Sequence, residues 1–272
     1  MTPLIVVLLI VAFVCVLVLV ASVATGDYSW VDRSWSIVPA IYVWVFAGFA
    51  GLSDTRLNVM AILVTAWAAR LTFNFARKGG YSGVEDYRWA ILRSRMTRRQ
   101  FQIFNVFFIT LYQNLILVLI ALPALTAYNY RGTAFGALDA VVTVLFVLLL
   151  AGETVADQQQ WNFQQAKKAG GATFRPRFVS SGLWKYSRHP NFFFEQAQWW
   201  TLFLFGAIAA GSLLQWTVIG ALLLTVLFVG SMRFTEAITL SKYPEYAEYQ
   251  ATTSPMIPWV PRRARQAEST AA

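Results

Sequence analysis

Apolar residues run almost unbroken over 3–25, 34–52, 57–76, 101–127, 135–156, 192–210 and 213–232 of the 272-residue chain. Each run approaches the twenty or so residues that a helix needs to cross a bilayer. The pattern therefore predicts seven transmembrane helices, with Gly211-Ser212 separating the last two. The first run has no basic leader and is long for a signal peptide, so it reads as a resident span. The expected architecture is an all-α integral-membrane bundle: one domain over 1–265, with residues 266–272 a disordered tail.

Basic residues set the expected orientation. Arg77, Lys78, Arg88, Arg93, Arg95, Arg98 and Arg99 crowd one interval, and Lys167, Lys168, Arg175, Arg177, Lys185 and Arg188 crowd another. The alternate intervals offer only Arg56 and Arg131. Basic loops stay in the cytoplasm, which puts the N-terminus outside and the C-terminus inside. Composition agrees, being 57% hydrophobic and only 13% charged, where soluble domains carry about 25% charged residues. The excess of 22 basic over 13 acidic residues then reads as membrane topology, and no nucleic-acid partner is expected. One cysteine and one histidine exclude a disulfide framework, a thiolate metal site, bis-histidine haem and a polyhistidine di-iron centre. Redox chemistry would need a diffusible organic cofactor, and no metal is expected.

Ionisable groups near the ends of spans are costly, at about 2.5–3.5 kcal/mol each on insertion scales, and they usually face a cavity or one another. Four stretches stand out. In GDYSWVDRSWSIVP, residues 26–39, Asp32 is either part of an interfacial anchor or a buried carboxyl with a raised pKa, able to donate a proton. In RLTFNFARKGGYS, residues 70–82, Arg70, Asn74 and Arg77 share a helical face, and Lys78-Gly79-Gly80 adds cations and a turn. In GETVADQQQWNFQQAKK, residues 152–168, Glu153, Asp157, Gln160 and Gln164 form a polar stripe. It suits a pocket wall better than a surface of anionic lipid. In SGLWKYSRHPNFFFE, residues 181–195, Trp184 and Tyr186 offer ring faces, Arg188 and His189 offer positive charge or hydrogen bonds, and Pro190 starts a helix. Asn191 and Glu195 then fall on one face of that helix. A helix N-terminus beside Arg, His and aromatic rings suits a ligand bearing phosphates and a ring. Capping with a snorkelling Arg is the bland alternative.

The tail, KYPEYAEYQATTSPMIPW over 242–259, spaces Tyr243, Tyr246 and Tyr249 three apart, so they share a face. Docking on the bilayer surface and closing over a cavity explain it equally. No dinucleotide or P-loop glycine motif is present.

Together these stretches resemble a bacterial membrane family of unknown function related to the steroid 5α-reductases. "ADQQQWNF", "GLWKYSRHPNFFFE" and "KYPEYAEYQATTSPMIP" are similar to its later signatures in order, and "WVDRSWSIVPAIY" and "RLTFNFARKGG" to its earlier ones. Sterol C14- and C7-reductases carry a similar Arg-His-Pro-Asn run. The resemblance covers nearly the whole chain. It implies a seven-helix bundle whose cofactor half, about 135–260, takes NADPH from the cytoplasmic face. Asp157 and Asn191 then match cofactor-contacting positions, and Glu195 matches the carboxylate that follows the Asn. Gly80, Arg188, His189, Glu236 and Tyr246 would be neighbours of the cofactor, with Trp184, Gln160 and Lys78 beside them. In the steroid enzymes a Gln-Glu pair and a Tyr polarise the substrate carbonyl. Asp32 stands in place of that Glu, Val31 replaces the Gln, and Trp67 takes the position of the Tyr.

The function expected is reduction by NADPH of an enone C=C in a lipophilic, steroid-like or isoprenoid-like substrate, at the inner membrane of a bacterium and facing the cytoplasm. Asp32 and Glu195 would be its catalytic carboxyls, and membrane lipids its surroundings. An S-adenosylmethionine-dependent methyltransferase of the isoprenylcysteine carboxyl type and a non-catalytic lipid-binding or transport protein are the rival readings.

Overall fold

A computed structural model describes residues 1–262, and every regular element among them is helical. Helix α1 spans Pro3–Thr25, α2 Trp30–Trp35, α3 Val38–Phe49 and α4 Thr55–Arg77. Then follow α5 (Tyr87–Ser94), α6 (Arg98–Phe104), a π-helical stretch (Asn105–Tyr112), α7 (Gln113–Ala121) and α8 (Pro123–Asn129). Helices α9 (Ala137–Gly170), α10 (Pro190–Ala210), α11 (Val218–Lys242) and α12 (Tyr246–Thr252) complete the chain. The tail expected at 266–272 lies outside the described residues.

Local chemistry sets these boundaries. Thr2 caps α1 by accepting from the Ile5 amide, and Gly26 ends it in the left-handed region at φ 68°, where glycine carries no steric penalty. Asp54 caps α4 through the Leu57 amide at 2.9 Å. Thr97 and Gln100 form a reciprocal capping box at the start of α6, satisfying two end-of-helix donors at once.

Among the described residues, five stretches are long and apolar enough to cross a membrane: Pro3–Thr25, Thr55–Arg77, Arg98–Asn129, Ala137–Thr173 and Val218–Lys242. The run at 34–52 yields only the 12-residue α3, about 18 Å of helix at 1.5 Å per residue. Gly51 and Leu52 turn the chain with positive φ directly after it. The run at 192–210 does form a helix, α10, but Asn191, Glu195, Gln196 and Gln198 thin its apolar character.

The chain divides into two compact units, Met1–Val147 with Trp199–Leu224, and Leu148–Gln198 with the chain from Thr225 on. In the first, α3 packs on α1, α4, α7 and α8, and α1 also packs on the π-helix and α7. Its interior is filled by Tyr42, Phe46, Leu57, Met60, Trp67 and Ile116, all essentially inaccessible. Two glycines permit close helix approach there: a Cβ on Gly206 would meet the Pro123 carbonyl oxygen at 2.8 Å, and one on Gly220 the Leu119 oxygen at 2.3 Å. Small residues at such crossings are how apolar helices associate where lipid removes the hydrophobic drive. One buried ion pair fastens the unit. Arg56, 2% exposed, bonds Asp139, 1% exposed, at 2.6 and 2.9 Å, and also reaches the Thr133 hydroxyl and the Ala134 carbonyl.

In the second unit, the polar part of α9 meets the 181–188 turn through Gln159 and the Ala156 carbonyl, and the first half of α10 through Glu153 and Gln198. The glutamine- and acid-rich sequence after Gly152 continues the apolar helix without a break, so α9 runs for 34 residues.

Candidate functional site

The second unit brings together most of the residues that the sequence singles out. The turn ahead of α10 is clamped onto α9. Gln159 Oε1 accepts from the Leu183 amide at 2.9 Å, and the Trp184 indole donates to the Ala156 carbonyl at 3.1 Å. Gly182 is required at this clamp. Its φ is +63°, and a Cβ would lie 2.6 Å from the Gln159 amide. Trp184 is therefore a buried peg between turn and helix, 7% exposed, not an open ring face. Tyr186 is the exposed ring, at 43%.

Pro190 opens α10 as expected. Immediately before it, Arg188 enters a network centred on Glu236. Arg188 Nε and Nη2 donate to the two carboxylate oxygens at 2.7 and 3.1 Å, and Gln250 Nε2 donates to Oε2 at 2.9 Å. His189 Nε2 lies 3.0 Å from Oε1, and the Tyr246 hydroxyl donates to the same oxygen at 3.4 Å. The remaining Arg188 terminus, Nη1, donates to the carbonyls of Gln250 and Thr253. Arg188, His189, Glu236 and Tyr246, four expected cofactor neighbours, are thus one internal structure in which each satisfies another.

That network also fixes the C-terminal segment. The Arg188 amide donates to the Ser254 carbonyl at 2.8 Å, Ser187 Oγ to that of Met256 at 2.6 Å, and the Trp259 amide to that of Tyr186 at 2.9 Å. The Tyr249 hydroxyl donates to the Trp184 carbonyl. Residues 246–259 are a strap bolted onto the turn. Tyr243 stands apart from the tyrosine face read from sequence, because Pro244 separates it from α12; its hydroxyl meets the Lys167 ammonium at 3.2 Å instead. That ammonium draws the phenol pKa below its ordinary value, since a neighbouring cation favours phenolate. Burial pushes Tyr246 and Tyr249 the other way.

The same unit holds the carboxyls and amides of the α9 stripe and of α10. Asp157 is 5% exposed and Glu195 8%. Glu153, 1% exposed, accepts from Gln198 at 2.7 Å. The side-chain oxygens of Gln160 and Asn191 differ from these: both are buried and neither meets a hydrogen-bond donor among the described residues. A buried carbonyl oxygen without a donor costs about 1–3 kcal/mol, and such atoms need an explanation in a folded protein.

The other three expected residues belong to the first unit. Lys78 caps the C-terminus of α4 and is exposed. Gly80 is buried, and a Cβ there would strike the Phe75 ring at 2.3 Å, so packing alone demands the glycine. Its carbonyl accepts from Arg33 Nε at 2.9 Å. Asp32 sits in α2 and accepts from the Trp89 indole at 2.8 Å. Desolvation lifts its pKa from 3.8 to about 6 against the pull of Arg88. A carboxyl whose folded pKa is raised holds its proton more tightly folded than unfolded, so stability falls as pH rises from about 4 to about 6. Asp32→Asn removes that loss. Melting curves are expected to coincide for the two proteins at pH 4 and to show the variant melting higher at pH 7.

Sequence reasoning missed the partners of the network. Gln250 lies one helical turn after Tyr246, a spacing that puts both on one face of α12. The carbonyls that complete Arg188 have no signal in side-chain pattern.

A family model described as a protein of unknown function, DUF1295, matches residues 18–253. The uncharacterized protein C594.04c of the fission yeast Schizosaccharomyces pombe is 42% identical over 249 residues, covering 84% of this chain and 72% of its own length. That relative is eukaryotic, so the likeness is not confined to bacteria. No solved structure matches. The family model runs from within α1 into the strap, across every element of the network described above, and the chain belongs to the DUF1295 family.

Proposed function

We propose that the second unit binds NADPH and that the protein reduces a polarised C=C in a lipophilic molecule, as the resemblance to the steroid and sterol reductases implies. The observation that carries this reading is the pair of buried, donorless oxygens on Gln160 and Asn191. Gln160 lies in α9 three residues after Asp157, and Asn191 lies in the first turn of α10 four residues before Glu195. A dinucleotide offers the complementary chemistry in its carboxamide N–H and ribose hydroxyls. Arg188 holds the turn and strap in place through Glu236, which makes it a positioning residue. The exposed Lys168 and Lys185 of the same unit are the cations assigned to phosphate.

When bound, NADPH would supply a hydride to the β-carbon of an enone, and groups of this chain would have to stabilise the charge on the carbonyl oxygen and deliver a solvent-derived proton to the α-carbon. One preorganised donor at such an oxygen contributes about 3–4 kcal/mol. Asp32 is the carboxyl to which the resemblance assigns that role. Asp32→Asn is expected to keep NADPH binding and lose turnover.

Because Arg188 is already spent on Glu236 and backbone carbonyls, a cofactor without phosphates is the second reading, and S-adenosylmethionine fits it. One measurement separates the two. A ligand at a hundred times its Kd stabilises by about 2.7 kcal/mol, a melting shift of about 5–10 °C for a chain of this size. NADPH is expected to give that shift and S-adenosylmethionine none. Asn191→Leu should melt no lower than the native protein, since it removes an unsatisfied amide, and should lose most of the NADPH shift. A shift with S-adenosylmethionine alone replaces the reductase with the methyltransferase. A shift with neither leaves a lipid-binding or transport role.

A further inference from the structure

Unmet polar groups also occur where they are least expected, in the apolar interior of the first unit. Asn105 is wholly buried, and both its amide nitrogen and its oxygen lack partners among the described residues. The Thr110 hydroxyl, the Asn114 oxygen, the Tyr42 hydroxyl and the Ser22 hydroxyl share that condition, on residues at most 1% exposed. They come from four segments: Ser22 from α1, Tyr42 from α3, Asn105 and Thr110 from the π-helix, and Asn114 from α7. Helix α1 packs on the other three segments, and α3 packs on α7. The orientation of Asn114 is fixed, because its amide nitrogen donates to the Thr110 carbonyl at 2.8 Å, which leaves the oxygen as the open function. Asn105 and Thr110 are five residues apart, the repeat that a π-helix aligns, and π-helical turns interrupt α-helices frequently at functional sites.

The chemistry of these groups restricts the ligand. None of the four segments contains a Lys, Arg, His, Asp or Glu, so no ionic head would be compensated there. The set offers a donor in Asn105 Nδ2, acceptors in Asn105 Oδ1 and Asn114 Oδ1, and hydroxyls able to act either way. Asn105 alone offers both a donor and an acceptor, which a hydroxyl that takes one hydrogen bond and gives another would meet.

We infer that α1, α3, the π-helix and α7 enclose a binding site for the uncharged, hydroxyl- or carbonyl-bearing end of a membrane-soluble molecule. Its identity as the substrate site rests on the reductase reading above; its existence as a site does not.

The test is photolabelling of the full-length protein in lipid nanodiscs, without NADPH. The probe is a long-chain ketone with an aliphatic diazirine two carbons from its carbonyl, and a hydrocarbon diazirine of equal length serves as control. The ketone is expected to label the segments around Tyr42 and Asn105, whereas the hydrocarbon labels lipid-facing positions such as Phe13 and Phe107, both more than 60% exposed. Asn105→Leu is nearly isosteric and should cut the ketone labelling at least tenfold while raising the melting temperature by a few degrees, because it removes an unsatisfied amide. Thr110→Val, a smaller change, should cut it several-fold and carries the test if Asn105→Leu does not fold. The proposal is overturned if ketone and hydrocarbon label the same residues, or if labelling survives the folded variants; ordered water then fills the site. A melting temperature that falls in both variants makes the groups structural and overturns it equally. Loss of the NADPH melting shift in native protein, with ketone labelling intact, counts against the reductase alone.

Discussion

Glu236→Ala is expected to lower the melting temperature by roughly 10 °C and to free the strap. Glu236 is 7% exposed and accepts from Arg188 twice, from Gln250 and from Tyr246, with His189 against the same oxygen. Removing it leaves the Arg188 guanidinium, only 10% exposed, without its counter-charge. Breaking one side of such a pair costs about 3–5 kcal/mol, and each kcal/mol is worth about 2–4 °C in a chain this long. The damage should be local as well as global. Gln250 also loses its side-chain acceptor, so limited proteolysis in detergent should cut between Tyr243 and Arg262 sooner than in the native protein. Glu236→Gln keeps two polar ends but removes the charge, and should fall between. A Glu236→Ala protein that melts normally and resists protease would show that the strap is held by its backbone contacts alone.

Arg56→Ala should be as damaging in the first unit, again by about 3–5 kcal/mol. The Arg56–Asp139 pair joins the first turn of α4 to the first turn of α9, across 83 residues of sequence, and both partners are almost inaccessible. The single variant strands the Asp139 carboxylate, which keeps the Gly136 amide at 2.9 Å but loses its counter-charge. The Thr133 and Ala134 oxygens lose their donor at the same time. Charge burial, not the contact itself, sets most of this penalty. Arg56→Leu combined with Asp139→Leu should therefore recover well over half of the loss. Melting temperatures of the two single variants and the double variant, taken at one scan rate, give the coupling. Additive losses would mean that the pair adds nothing beyond its separate parts.

Much of the helical framework was legible because an apolar run of about twenty residues has few alternatives. α1, α4, α9 and α11 follow directly from such runs, and Pro190 marks the start of α10. What escaped were features decided by backbone geometry or by distant partners. The 34–52 run is apolar enough, but the break after α2 at Ser36–Ile37 and the positive φ at Gly51 and Leu52 trim it at both ends to α3. The switch to π-helix at Asn105 leaves the hydrophobic pattern nearly unaltered, since five-residue and four-residue spacings look alike over two turns. Arg56 read as a sparse loop charge, because the acid that buries it lies far along the chain. For the candidate site, helical spacing and the family resemblance singled out Asp157, Gln160, Asn191 and Glu195, all buried or half-buried in one unit. Sequence reasoning assigned Arg188 and Trp184 to a ligand because residue type cannot show that their donors are already taken by Glu236 and the Ala156 carbonyl.

The strap fixes an order of events during synthesis. The oxygens that receive Arg188 Nη1 lie 62 and 65 residues later, at Gln250 and Thr253. At about 5–20 residues per second, a nascent chain carries that arginine unsatisfied for several seconds after translating it. The Arg-His-Pro-Asn turn therefore cannot close until Gln250 and Thr253 have been made, so the half of the molecule proposed to hold cofactor waits for its own strap.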